Sequence, residues 1–284
     1  MKALFPLVLW LVMAILLAAP ADGVPIEAMQ GIENGLTRTV QTFTCGSETI
    51  TLSISTDRDE RSSRFGLTFV FVRIPLGAAL PLVDAIRRSA PQKKLFGQLV
   101  QPADCVITNG GFWAFDSAGR ETPLGLIVSS GKNISRRVPW TSGGFLCIEG
   151  AQLSVLPVRS FFDSNHCFHA LQTKPLLVEH GKVAVHERLN DLFNRMAIGL
   201  DRKQQIIIAG AFAPTGSAAS LAEFATYLTH DNDHGGPATE VAIALDGGPG
   251  AQLVIPSLGM HFGADVETYV PAIVRFRARG RDRD

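Results

Sequence analysis

The chain has 284 residues, of which 46% are hydrophobic and 18% charged, so it can bury a sizeable core. Lysine and arginine total 26 and aspartate and glutamate total 26, giving a formal net charge of zero. That balance leaves no overall field to attract nucleic acid or an acidic surface, and neither is expected as a partner.

The N-terminus begins with Met1-Lys2 and then runs almost wholly apolar from Ala3 to Ala19. Small residues follow at Ala19-Pro20-Ala21, the pattern of a secretory signal over residues 1–21 with cleavage after Ala21. An uncleaved N-terminal anchor is the alternative reading, since about 17 apolar residues is near the lower limit for spanning a bilayer. No later segment is long and apolar enough to span. The mature protein is therefore expected to be secreted or periplasmic, without stable membrane insertion. In such a compartment the four cysteines Cys45, Cys105, Cys147 and Cys167 read as disulfide partners. Three pairings are open.

Past the signal the pattern is one of short strands. Glu48–Ile54 alternates in places, and Gly66–Ile74 is rich in β-branched and aromatic residues. Leu80–Ser89 has helical spacing and stops before Pro91. Strands are expected at Asp104–Thr108, Leu124–Ser129, Gly144–Ile148, Leu153–Leu156 and Phe168–Thr173. Pro175–Val185 reads as a hairpin turning at His180-Gly181. Met196–Leu200 and Gln205–Phe212 read as a strand pair around Asp201-Arg202-Lys203. Ser220–Thr229 is an amphipathic helix with Ser220 as N-cap, and Glu240–Leu245 is the strand that delivers Asp246. The fold class expected is α+β: one domain over 22–274 with a mixed, mostly antiparallel sheet and few helices. The stretch from Arg275 to Asp284, "RFRARGRDRD", reads as a charged, solvated C-terminal tail.

Two turns share a form, an apolar strand followed by a polar residue and paired glycines. One is "VITNGGFW" with Asn109, Gly110 and Gly111, the other "ALDGGPG" with Asp246, Gly247 and Gly248. Glycine pairs let backbone N–H groups approach a ligand, and they also mark ordinary tight turns. No phosphate-binding glycine loop, nucleophile elbow or metal-ligand spacing occurs, so no cofactor and no metal are expected. The loop "HDNDHGGP", with His230 and His234, is a polar loop by composition, and a cation site shared with Asp246 is the weaker alternative.

The segments "CVITNGGFWAFDSAGRETPLGLIVSSGK", "ALQTKPLLVEHGKV", "RMAIGLD" and "VAIALDGGPGAQL" occur in an order that resembles the phosphodiester glycosidase family. The resemblance implies an exported hydrolase of sugar-1-phosphodiesters or related glycans, acting on a glycan or sugar-phosphate substrate. It implies catalytic roles for Asp246, Arg195 and Asn109. Substrate contacts are implied for Gly110, Gly111, Phe112, Thr173, Gly247 and Gly248, with Trp113 in the second aromatic place. Arg195 suits phosphate because its planar fork matches two oxygens at once. Asp246 suits the role of nucleophile, base or electrostatic stabiliser, and the glycine turns are expected to add backbone donors. A second carboxylate is sought among Asp116, Glu121 and Glu149. The family pattern has hydroxyl residues after the Asp-Gly-Gly turn, where this chain has Pro249-Gly250-Ala251, and S-G-P where this chain has Thr173-Lys174-Pro175. The lost hydroxyls favour a rival reading, a non-catalytic glycan- or phosphate-binding protein that keeps the family cleft.

Overall fold

The computed structural model describes residues 36–86, 99–161, 166–185, 191–263 and 270–279. The signal expected at residues 1–21 lies outside them. In chain order the strands begin with β1 (Leu36–Cys45), β2 (Glu48–Asp57), β3 (Thr68–Ile74), β4 (Leu80–Ala85), β5 (Asp104–Asn109), β6 (Trp113–Phe115) and β7 (Glu121–Pro123). They continue with β8 (Ile127–Ser129), β9 (Lys132–Ser135), β10 (Gly144–Glu149), β11 (Gln152–Pro157), β12 (His169–Thr173), β13 (Leu176–Glu179) and β14 (Lys182–Val183). The last third holds β15 (Arg195–Asp201), β16 (Ile206–Phe212), helix α1 (Leu221–Thr229), β17 (Thr239–Ala244), β18 (Gln252–Ile255), β19 (Met260–Gly263) and β20 (Ala272–Arg277).

These strands form an eight-stranded sheet in the order β1-β2-β3-β16-β15-β17-β13-β14, two five-stranded sheets, and the separate hairpin β6-β7. The second sheet runs β19-β18-β5-β20-β4 and the third β11-β10-β12-β8-β9. Instead of one mixed sheet there are several, and every described strand pair is antiparallel.

The long apolar runs of β15, β16 and β17 follow from burial on both faces of the large sheet. Met196, Ile198, Leu200, Ile206 and Ile208 point into the main core, which also takes residues from the other two five-stranded sheets. The alternate positions Ala197, Ile207, Ala209, Ala211, Ala242 and Ala244 face α1, meeting Phe224, Tyr227 and Leu228. Small residues on that face let the helix lie close to the sheet. The helix starts at Ser220, whose hydroxyl accepts from Glu223 N–H while the Glu223 carboxylate accepts from Ser220 N–H.

Two expectations change. Leu80–Ser89 is a strand over its described part, because β4 pairs along its whole length with β20. Its Pro81 is tolerated because β4 is an edge strand. Arg275 and Arg277 belong to β20 instead of a solvated tail. Val274 and Phe276, alternating with them, fill the core, and buried Arg275 pairs with Asp84 and Asp104 while Arg277 pairs with Asp104. Paired carboxylates on neighbouring strands make that burial affordable.

Disulfides join Cys45 to Cys105 and Cys147 to Cys167. The first ties the end of β1 in the large sheet to the start of β5 in the second. Among the described residues no helix is long and apolar enough to cross a membrane.

Candidate active site

The Asp246 turn is not a hairpin. It carries the chain from β17 in the eight-stranded sheet to β18 in the second sheet, and β18 pairs with β5, the strand that ends in Asn109. Both glycine turns therefore meet at the seam between the sheets. Asp246 N–H donates to the Gly110 carbonyl at 2.9 Å. In return Asn109 Nδ2 donates to the Asp246 carbonyl at 2.8 Å, and Asn109 Oδ1 accepts from Gln252 N–H at 3.0 Å. Asn109 is 1% exposed, so it clamps the Asp246 turn and does not itself face solvent. Gly110 is required by a close approach: a Cβ there would lie 2.7 Å from the Ala272 carbonyl oxygen.

Asp246 is half-buried, and its Oδ1 accepts from Gly247 N–H at 3.0 Å. Burial pushes its carboxyl up to about 7, against the lowering effect of that hydrogen bond. A Cβ at Gly250 would lie 2.7 Å from Oδ2, so the glycine leaves that oxygen its room. Ala251 is fully buried in the core. The two positions where the family pattern has hydroxyls thus hold, in this chain, a space for the carboxylate and a packed methyl group.

Arg195 opens β15 beside the same turn, with Nη1 3.9 Å from where a Cβ on Gly247 would sit. Its Nε donates to the Ala219 carbonyl at 2.9 Å and Nη2 to the Asp191 carbonyl at 2.7 Å. Burial lowers its pKa from the usual guanidinium value, while the charges of Asp191 and Glu223 act the other way. Among the described residues no carboxylate forms an ion pair with it. The ring of Phe193 lies 5.2 Å from its guanidinium carbon and is 47% exposed.

Beyond Gly111 the chain leads into a cluster of Phe112, Trp140 and Lys174. Phe112 meets Trp140 edge to face at 6.4 Å, and the Lys174 ammonium lies 5.2 Å from the Trp140 ring centre. Trp140 is placed by the nearby Gln172, whose buried amide bonds Val138 N–H and the Val138 carbonyl. Thr173 is fully buried and donates its hydroxyl to the Ala244 carbonyl at 2.7 Å. It holds the strand that delivers Asp246, and its burial leaves it no surface for substrate.

Asn109, Arg195 and Asp246 therefore converge, joined by Gly110, Gly111, Phe112, Gly247 and Gly248. The glycine N–H groups are largely spent within the fold: Gly110 donates to Ala272, Gly247 to Asp246, Gly248 to Asn194 and Gly250 to Gly247. Few backbone donors are therefore left at this turn, beside which the Arg195 guanidinium lies. Asp116 is taken up in the β6-β7 turn, accepting from Ala118 N–H, Arg120 N–H and the Arg120 guanidinium. Glu149 ends β10 at the far end from Gly144, which is paired with Thr173. The loop of His230 and His234 lines a cleft of about 620 Å³ with Asp201 and Thr239, at the opposite ends of β15 and β17 from Asp246. Six residue steps of strand, roughly 20 Å, separate the two, so they cannot share one cation. Phe193 and Trp140 carry no motif in the sequence, whereas Gly250 and Lys174 stand out there only as departures from the family pattern.

This arrangement of antiparallel sheets is a fold shared with solved structures. The catalytic domain of zebrafish N-acetylglucosamine-1-phosphodiester alpha-N-acetylglucosaminidase, auto-inhibited by its pro-peptide, is similar at TM-score 0.59 and 17% identity, covering 86% of this chain and 89% of that one. A Burkholderia pseudomallei protein described as exported is similar at TM-score 0.60 and 8% identity, covering 86% and 97%. A Synechocystis protein of unassigned function is similar at TM-score 0.51 and 16% identity, covering 86% and 68%. No curated protein matches the sequence. The phosphodiester glycosidase profile matches residues 104–276, more than half of the chain, and the chain belongs to that family.

Proposed function

We propose that this protein is an exported hydrolase that cleaves the bond between a sugar's anomeric carbon and a phosphodiester. The observation that carries the reading is the convergence of Asp246 and Arg195 on one turn, clamped by Asn109. Export is supported by the two disulfides, which persist in oxidising compartments.

A carboxyl titrating near neutral pH is matched to general-base work, because it is ionised in part while still basic enough to take a proton. Asp246 accepts a proton from water as the water oxygen bonds to the anomeric carbon. The bond from that carbon to the phosphate oxygen breaks, and its electron pair leaves with the phosphate. Arg195 holds the developing phosphate charge. The products are the free sugar and a phosphate monoester, and a phosphate leaves readily without a strong acid. The exposed face of Phe193 beside Arg195 offers an apolar surface for the sugar or its aglycone.

The binding-only rival drew on the hydroxyls absent at Gly250 and Ala251. In this chain Gly250 gives Asp246 its space and Ala251 packs in the core, so neither position argues for a lost activity. Steady-state hydrolysis of an N-acetylglucosamine-1-phosphodiester by the wild type, Asp246→Asn and Arg195→Gln tests the proposal. Turnover falling by at least about a hundredfold in Asp246→Asn is expected; equal turnover in the wild type and Asp246→Asn overturns the assignment.

A further inference from the structure

Arg195 lies beside the Asp246 turn, and a second cation, Lys174, is carried by the segment hydrogen-bonded to the strand that delivers Asp246. Arg195 reaches the turn through Gly247. Lys174 is exposed, with its ammonium against Trp140. Its backbone is fixed on both sides. Thr173 donates its hydroxyl to the Ala244 carbonyl, and the Pro175 carbonyl accepts from Ala244 N–H at 2.9 Å. Ala244 precedes Asp246 by two residues, a Cα separation of at most about 7.6 Å. Gly143 packs against the lysine stem so closely that a Cβ on it would lie 2.6 Å from Lys174 Cβ.

The ammonium is held by a ring face that attracts a cation without neutralising it. Among the described residues no carboxylate forms an ion pair with Lys174. Trp140 also meets Phe112, two residues beyond the glycine whose carbonyl accepts Asp246 N–H. Lys174 is thus an oriented positive charge, with no ion-paired carboxylate among the described residues, next to the contacts that fix the strand delivering Asp246.

We infer that Lys174 is a specificity-determining residue that reads a second anionic group on the substrate, a carboxylate or a further phosphate beyond the scissile phosphodiester. The inference rests on the proposed hydrolase reading for the place of the scissile group, and on the second cation for the rest. A substrate carrying only one charge leaves the lysine without a counterion, whereas a dianionic one spans both cations with the anomeric carbon between them.

Calorimetry on the full chain carrying Asp246→Asn separates the two ideas, since binding is read without turnover. The probes are the methyl ester of N-acetylglucosamine 1-phosphate, its carboxymethyl ester and its phosphoethyl ester. The last two are expected to bind about fivefold tighter at low salt, the upper range for an exposed charge pair. That preference should shrink in high salt, disappear on adding Lys174→Ala, and survive Lys174→Arg and the distant control Lys182→Ala. The carboxymethyl and phosphoethyl arms tell a carboxylate reader from a phosphate reader. KM values of the wild type for the same esters supply a second readout. Equal affinity for all three esters overturns the inference, as does a preference that persists in Lys174→Ala. Failure of the wild type to cleave any ester while the preference stands sinks the hydrolase reading alone.

Discussion

Replacing Asp246 by asparagine should make the protein more stable at alkaline pH while removing its activity. The carboxyl titrates at 3.8 in the unfolded chain and at about 7 in the fold, because burial penalises its charge. A folded-state pKa above the unfolded one means the fold holds the proton more tightly. That contribution is complete below pH 4 and is lost as pH rises through 7. From pH 5 to pH 8 the wild type should therefore lose about 2.5 kcal/mol that the asparagine variant does not, at 1.36 kcal/mol per pKa unit. Urea unfolding of both proteins at the two pH values measures it, with the difference taken between them so that other titrating groups cancel. The asparagine variant should gain on the wild type as pH rises. A constant difference between the two proteins would show that Asp246 is ionised at no cost and is not tuned to act as a base near neutral pH.

Four other outcomes follow from the same contacts. The dependence of kcat/KM on pH should fall on the acid side with an apparent pKa near 7, since a base must be ionised, and a plot flat from pH 5 to 8 contradicts this. Asn109→Ala strands Gln252 N–H and weakens the Asp246 turn; it should cost about 2–3 kcal/mol by denaturant titration and lower kcat as well. Gly250→Ala places a methyl group 2.7 Å from Asp246 Oδ2, so activity should fall more steeply than stability, read by kinetics and thermal melts on one preparation. Removing the Cys45–Cys105 bridge, whose partners are 60 residues apart, should cost about 4 kcal/mol by loop-closure entropy, against about 3 for Cys147–Cys167 with a separation of 20.

What could be read from the chain depended on how local the cause was. The pair β15-β16, the hairpin β13-β14 and the capped helix α1 are fixed by short-range pattern and turn chemistry, and the sequence reading placed them. Leu80–Ala85 shows the opposite case: its apolar spacing suits a helix, and only the distant β20 makes it a strand. Arg275 looked solvated because its neutralising carboxylates, Asp84 and Asp104, are far away in sequence. At the site, the two Gly-Gly turns were visible as motifs, but their mutual clasp joins residues 137 apart and belongs to the fold. The burial of Thr173 was equally invisible, as was the role of Phe193, which sits in a stretch with no periodicity.

The central claim is that water attacks the sugar carbon with Asp246 as base, and hydrolysis in ¹⁸O-water tests it most directly. Mass spectrometry of the products from an N-acetylglucosamine-1-phosphodiester should find the label on the anomeric hydroxyl of the sugar and none on the phosphate, with Asp246→Asn giving neither labelled product. Label on the phosphate would mean that phosphorus is attacked, and would contradict the account.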